Sequence, residues 1–196
     1  MGKLRITKAG VGDFEPIFAL EQAVFGLESK DSLIRALRSP SFDYFKAEMP
    51  DDAAEACNLG NVAADNAKAA GSDNTADNAK AAGSDKTTGV NDKKPEVGRG
   101  LVGFIATNNL SPEGEILSVA VDEKARNNGV GRALLSHALE YLKTKGVEKV
   151  FLEVAVDNVA AIALYRGAGF EDLYVRKDYY NDHGHGVDAL ILVKNI

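Results

Sequence analysis

The sequence predicts one α/β domain interrupted by a low-complexity insert. Three observations carry that expectation. An apolar strand pattern, Ile116 to Val121, runs through a short turn with two glycines into helical spacing, with Val130, Leu134, Ala138 and Leu142 four residues apart. A second apolar run, Val150 to Val156, is followed by a helix pattern to Tyr165 and then by two further strand-like runs. Between them and the N-terminal elements, the stretch from Pro50 to Gly98 has no aromatic residue and no isoleucine.

Taken in order, Leu4 to Thr7 alternates as a short strand, and Gly10 to Gly12 is a turn. Asp13 caps a helix to about Phe25, with Phe14, Ile17, Phe18, Ala19, Leu20 and Val24 as its apolar stripe and Pro16 in the first turn, where proline is tolerated. Gly26 ends it. Asp31 or Ser32 caps a second helix with Leu33, Ile34 and Leu37, Pro40 lies just past its end, and Phe42 to Glu48 reads as a strand. Residues 1–49 therefore form the first part of the domain and 99–196 the second.

The insert, 50–98, contains a repeat: Asp65-Asn-Ala-Lys-Ala-Ala-Gly-Ser-Asp73 recurs as Asp77 to Asp85. A stacked solenoid needs more repeats and more apolar residues to bury. This tract cannot offset its ordering entropy and is expected to be disordered or frayed helix, read either as a tolerated loop expansion or as a docking arm.

Beyond it, Leu101 to Thr107 is a strand, Asn108 to Gly114 a turn, and Ile116 to Val121 the next strand. The helix that follows runs to about Lys145, with Gly146 as its C-cap. After the Val150–Val156 strand, Asp157 or Asn158 caps a helix that Gly167 and Gly169 end. Phe170 to Arg176 and Asp188 to Val193 close the sheet as antiparallel strands, joined by a polar loop with Tyr179, Tyr180, His183 and His185.

Of 196 residues, 45% are hydrophobic, enough for a core, and the net charge is −6. That balance argues against a general nucleic-acid binder, which carries a basic face. One cysteine, Cys57, cannot form an internal disulfide and fits a reducing compartment. Met1 to Leu20 lacks the apolar core of a signal peptide, and no apolar run approaches the roughly 20 residues of a membrane span. A cytoplasmic location is expected, and the sequence leaves oligomeric state open.

Four features carry chemistry. In Arg126-Asn127-Asn128-Gly129-Val130-Gly131-Arg132, glycine lets backbone approach a ligand, and helix N-terminal amides with the helix dipole attract phosphate. The alternative is an ordinary strand-to-helix turn. The dinucleotide fingerprint fits poorly, because its third glycine would fall at Leu134, and the Walker lysine motif is absent. Glu153 is a carboxylate inside an apolar strand, on one face with Phe151 and Ala155. Such a group is costly unless paired or protonated; it reads as a general base with its pKa raised by burial, or as half of a salt bridge from a neighbouring strand. Asn158 and Tyr165, seven apart, share a helix face that lines the same cleft, the alternative for Tyr165 being a core tyrosine. His183-Gly-His185 lacks further metal ligands and reads as a polar loop; no metal is expected.

The stretch Arg126-x-x-Gly129-x-Gly131 resembles the acetyl-CoA-binding signature of the GNAT N-acetyltransferases, and Leu152-Glu-Val, Asn158-x-x-Ala161, Leu164-Tyr165 and Gly169-Phe170 resemble that family's later motif. Within it the chain is most similar to the RimI-type ribosomal-protein alanine N-acetyltransferases. The resemblance covers about Leu101 to Val193 well and 1–49 loosely, and leaves the insert outside.

It implies a mixed, mainly antiparallel twisted sheet flanked by helices. It further implies that the backbone of Val119, Ala120 and Val121 holds the acetyl group and pantetheine arm, with one amide facing the developing oxyanion. Asn127 to Arg132 would bind the pyrophosphate and Asn158 the pantetheine. Glu153 would act as base on the amine, and Tyr165 would protonate the departing thiolate. The implied acceptor is a protein N-terminal amine, such as that of a ribosomal protein. The alternatives are a small-molecule amine or a lysine side chain, or a non-catalytic acyl-CoA-binding scaffold. The chain departs from the RimI pattern at Gly26-Leu27, where Pro-Trp is common, and at Asn181, where proline often follows the aromatic pair.

Overall fold

A computed structural model describes residues 4–25, 30–49, 66–68, 100–182 and 185–196. Its elements are β1 (Arg5–Lys8), α1 (Phe14–Phe25, after a 3-10 turn at Val11–Asp13), α2 (Lys30–Arg38), β2 (Phe42–Glu48), β3 (Asn66–Lys68), β4 (Leu101–Leu110), β5 (Glu113–Val121), α3 (Val130–Thr144), β6 (Lys149–Ala155), α4 (Val159–Gly167), β7 (Glu171–Asp182) and β8 (His185–Asn195). The main sheet runs β1-β2-β4-β5-β6-β8-β7. Of its neighbouring pairs, β5 and β6 are parallel and the rest antiparallel. A parallel pair needs a crossover, which α3 supplies.

The sheet separates two cores. On one face α3 buries Val130, Leu134, Leu135, Ala138 and Leu142, and α4 buries Ala161, Ile162 and Tyr165, against Ile105, Ile116, Val119, Leu152 and Val154. On the other, Ile17, Phe18 and Leu20 of α1 and Leu33 of α2 pack on Tyr44, Phe104 and Ala106. The close approach of α3 to the sheet depends on Gly103 of β4. A Cβ there would lie 2.8 Å from the Ala120 carbonyl oxygen and 3.2 Å from Leu134 Cδ1.

Several elements are longer than the sequence pattern suggests, because strand pairing continues past the apolar run. The expected Asn108–Gly114 turn is mostly strand: Asn108 pairs with Glu115 and Leu110 with Glu113. The polar loop assigned to Tyr179 and His185 is likewise strand, as β7 and β8 pair out to Asp182 and His185. Within the insert, Asn66–Lys68 is a strand rather than frayed helix. The rest of the insert, Gly26-Leu27 and His183 lie outside the described residues.

Two register features shape the centre of the sheet. Ala106 pairs with Ser118 but Thr107 with Ile116, so Leu117 is an extra residue in β5, a bulge. On its other side β5 pairs with β6 from Glu113–Lys149 to Ile116–Leu152 and no further, although β5 continues to Val121 and β6 to Ala155. A bulge bends its strand and increases local twist, which accounts for the two parallel strands parting here. In the gap β3 pairs antiparallel with β5, Asn66 to Ala120, Ala67 to Val119 and Lys68 to Ser118, and it also touches β6 and α4.

Candidate active site

The gap between β5 and β6 is where the sequence-predicted residues converge. At its far end α3 begins. Gly129 is the N-cap with φ 76°, a left-handed conformation that favours glycine, and Asn127 before it has φ 62°. The first helical hydrogen bond closes from the Ala133 N–H to the Gly129 carbonyl at 3.0 Å. The amides of Val130, Gly131 and Arg132 therefore have no acceptor within the helix, and Gly129, the N-cap, has no side chain to cap them. A Cβ on Gly129 would meet nothing within 4 Å, so the space before this terminus is open.

The turn is held by its own side chains. Arg126 Nε donates to the Val121 carbonyl at 3.2 Å, and Asn128 Nδ2 to the Arg126 carbonyl at 2.9 Å. Arg126 thus ties the turn to the end of β5, whereas Arg132 is exposed on α3. These bonds fix Asn127 to Gly129 so that the helix terminus faces outward. The first turn of α3 carries no acidic residue to oppose an anion.

Glu153 follows Leu152, the last residue of β6 that pairs with β5. Its side chain is 14% exposed. It lies on the α1/α2 face, since the flanking Leu152 and Val154 belong to the core on the opposite side. The salt-bridge alternative is realised: Arg176 Nη1 of β7 lies 3.0 Å from Glu153 Oε1. Glu153 Oε2 is buried and has no hydrogen-bond partner. The site thus has one engaged and one unengaged carboxylate oxygen at the mouth of the gap.

For Tyr165 the core alternative is realised, and Asn158 is a cap. Tyr165 does not line an open cleft. It is 1% exposed and packs on Phe170 with ring centroids 5.9 Å apart, in the core on the α3/α4 face. It is therefore on the opposite side of the sheet from Glu153, and the gap is the passage between the two faces. Asn158 is the N-cap of α4, one of the two caps that the sequence offered. Its Oδ1 accepts from the Ala161 N–H at 3.1 Å, which leaves Nδ2 as the atom to offer a ligand carbonyl.

Arg176, Glu115 and Glu21 were not singled out from sequence, and Tyr179 was assigned only to a polar loop. Arg176 and Tyr179 reach Glu153 from β7, two strands away, with the Arg176 guanidinium 4.6 Å from the Tyr179 ring centroid. Burial raises the Tyr179 pKa, and the neighbouring Glu153 carboxylate adds to it. Glu115 of β5 pairs with Phe151, so it shares the Glu153 face. Burial raises its carboxyl pKa, and the Glu153 charge adds to that. It borders a cavity of about 260 Å3 lined by Asn108, Leu110, Glu113, Gly114 and Phe151, in which Asn108 Oδ1 is buried without a partner. Glu21 of α1 is 8% exposed, and burial pushes its carboxyl up to about 7. The Glu21 charge in turn helps raise the Tyr44 hydroxyl, after burial. A signal was present for Glu21, a carboxylate within an apolar helix run, but it sits beside the predicted stripe. No group of His, Cys, Asp and Glu suited to a metal occurs among the described residues, and among them no helix is long and apolar enough to cross a membrane.

Residues 44–170 match the Acetyltransferase (GNAT) family. The chain belongs to that family. It is 37% identical over 92 residues to the ribosomal protein bS18-alanine N-acetyltransferase of Escherichia coli K12, covering 47% of this chain and 62% of that protein. It is 42% identical over 84 residues to the N-alpha-acetyltransferase of Sulfolobus acidocaldarius, covering 42% of this chain and 48% of that protein. The chain thus spans less than two thirds of the length of these curated relatives. The fold is shared with the crystal structure of the ribosomal-protein-S18-alanine N-acetyltransferase from Escherichia coli, at TM-score 0.67 and 22% identity, covering 99% of this chain and 94% of that one. It is shared also with Arabidopsis thaliana NAA60 in complex with acetyl-CoA, at TM-score 0.68 and 15% identity, covering 99% of both chains.

The buried Glu21 has a measurable consequence. Its folded pKa is raised above the ordinary value of 4.5, so the charged form costs stability. That cost is absent below pH 4.5, grows as pH rises and is complete above about 7. Denaturant unfolding of Glu21→Gln should show the variant gaining roughly 2–3 kcal/mol relative to the parent between pH 4 and pH 8. A difference that does not change with pH would contradict the assignment.

Proposed function

We propose that this chain transfers an acetyl group from acetyl-CoA to a protein N-terminal α-amine by direct attack in a ternary complex. The observation that carries the reading is the parting of β5 and β6 after Ile116 and Leu152, with the open α3 terminus at one end and Glu153 at its mouth. The residues present fit the cosubstrate. Uncapped amides at Val130 to Arg132 suit a pyrophosphate, and Arg132 adds a full charge. The β5 backbone from Val119 to Val121 lies beyond its pairing with β6 and offers main-chain groups to a pantetheine, as the Asn158 amide nitrogen does from α4.

In this reading the acceptor approaches on the Glu153 face and the thioester lies in the gap. A free α-amine has a pKa near 7.7–8.0, so a useful fraction is neutral at physiological pH, whereas a lysine near 10.4 is almost wholly protonated. Glu153 takes a proton from the amine nitrogen as that nitrogen attacks the acetyl carbon. The N–C bond forms, and a β5 amide between Val119 and Val121 stabilises the oxyanion. The C–S bond then breaks, and Tyr165 on the far side protonates the thiolate. Glu153 then gives up its proton to solvent, and Tyr165, buried in this structure, regains one once CoA has left the gap. The bS18-alanine and N-alpha-acetyltransferase relatives support an N-terminal acceptor. The cavity beside Glu115 and Phe151 lies on the acceptor face and has room for a residue of the incoming chain.

Release of CoA thiol from acetyl-CoA tests the reading. Turnover is expected with a peptide beginning with alanine and not with the same peptide N-terminally blocked. Glu153→Gln should lower kcat about 100-fold or more near pH 7 while leaving CoA affinity nearly unchanged. Turnover mainly with a small polyamine would move the acceptor to small molecules. CoA binding with no turnover on any amine would make the chain a binding protein.

The position of β3 adds a second expectation. A pantetheine and β3 cannot both use the β5 edge at Ser118 to Ala120. Deleting 50–98 should therefore lower the KM for acetyl-CoA several-fold with little change in kcat. An unchanged KM would mean that β3 and the cosubstrate do not compete.

A further inference from the structure

The ion pair between Arg176 and Glu153 has a role beyond joining two strands. It rests on the reading of Glu153 as the base. We propose that Arg176 is a positioning residue for Glu153: it holds Oε1 and so leaves Oε2 turned toward the acceptor amine.

The geometry divides the carboxylate unequally. Oε1 is 3.0 Å from Arg176 Nη1, while Oε2 is buried and unbonded. A buried oxygen without a donor is costly unless something completes it. An amine N–H arriving at the mouth of the gap would do so. Arg176 is itself held in place. Its Nη2 donates to the Tyr174 hydroxyl at 3.5 Å, and its plane lies over the Tyr179 ring. An arginine suits this post because one planar fork serves a carboxylate, a hydroxyl and a ring face together.

The sheet register explains why a cation is needed there. Glu153 pairs with Ile191, and Ile191 with Tyr174, so β8 separates the carboxylate from β7 and only a long side chain spans the distance. From the other side Glu115 of β5 places a second carboxylate on the same face, whose charge opposes that of Glu153. The titratable groups recorded around Glu153 are thus Glu115 from β5 and Arg176 and Tyr179 from β7. Arg176 is the cation that meets the Glu153 carboxylate on this face. Remove Arg176 and the two carboxylates are left to share one face without a counter-charge.

The test uses the full chain and two readouts. In the first, the pH dependence of kcat/KM is measured with an alanine-initiated peptide for the parent, Arg176→Ala, Arg176→Lys and Lys177→Ala. Lys177 is the neighbouring cation of β7, and it pairs with Asp188. Arg176→Ala should move the acid limb to higher pH by about one unit and lower kcat/KM at pH 6.5 about tenfold. Arg176→Lys should recover most of the limb position, because it restores the charge, and Lys177→Ala should leave it in place. The second readout needs no turnover. The carboxyl 13C resonance of Glu153, assigned by its loss in Glu153→Gln, is titrated in parent and Arg176→Ala, and its midpoint should move up in the same direction. If neither limb nor midpoint moves while Glu153→Gln abolishes turnover, Arg176 does not position the base and the acetyl-transfer reading stands. If the midpoint moves but no amine is acetylated by the parent, the contact holds and the proposed reaction fails.

Discussion

The constraint on which the site depends is the end of hydrogen bonding between two parallel strands. β5 and β6 pair for four residues and then part, and the extra residue Leu117 in β5 marks the place. Everything the site needs follows from that separation. It frees one edge of the β5 backbone, brings Glu153 to the first position of β6 that no longer pairs with β5, and joins the two faces of the sheet at one point. Unpaired backbone at the centre of a sheet is costly when buried, so such an edge demands a partner. In this structure β3 takes it at Ser118 to Ala120. A cosubstrate whose arm carries amides is the other partner with matching chemistry.

The chemistry is split across the sheet. On the α1/α2 face stand Glu153, Glu115, Arg176 and the cavity lined by Asn108. On the α3/α4 face stand Tyr165, Asn158 and the α3 terminus. The two sets differ in electrostatic character. The α3 terminus offers unpaired amides and an exposed arginine, suited to phosphate. The opposite face offers the Glu153 and Glu115 carboxylates with the Arg176 guanidinium beside Glu153, suited to an amine. A protein that must hold an anionic cosubstrate and a basic acceptor gains from keeping them apart until they meet in the gap. The packing makes the arrangement rigid, since Gly103 lets α3 lie close against β4 and so fixes where its first amides point.

How much of this was legible in the sequence follows from how local each feature is. The strand, turn and helix around Gly129 depend on neighbours within a few residues, and the glycine spacing showed them. Glu153 stood out because a lone carboxylate interrupts an apolar strand. The strand gap was not legible, because it is a matter of register between β4, β5 and β6 rather than of any one segment. Arg176 was not either: the salt-bridge alternative was foreseen, but the partner depends on β8 lying between β6 and β7. For Tyr165 the sequence left a cleft and a core position open, since helical spacing shows which residues share a face but not whether sheet covers it; the core position is the one realised. The composition of the insert gave no sign that Asn66 to Lys68 would pair with the centre of the sheet, because it lacks the β-branched and aromatic residues that mark strands.

The most direct test of the central claim, that the gap and the α3 terminus receive acetyl-CoA, is amide hydrogen exchange with and without acetyl-CoA, followed residue by residue. The account predicts slowed exchange at Val119 to Val121 and at Val130 to Arg132, with β1 and β2 unaffected. Saturating acetyl-CoA that protects neither segment, or that protects only amides elsewhere in the fold, would contradict it.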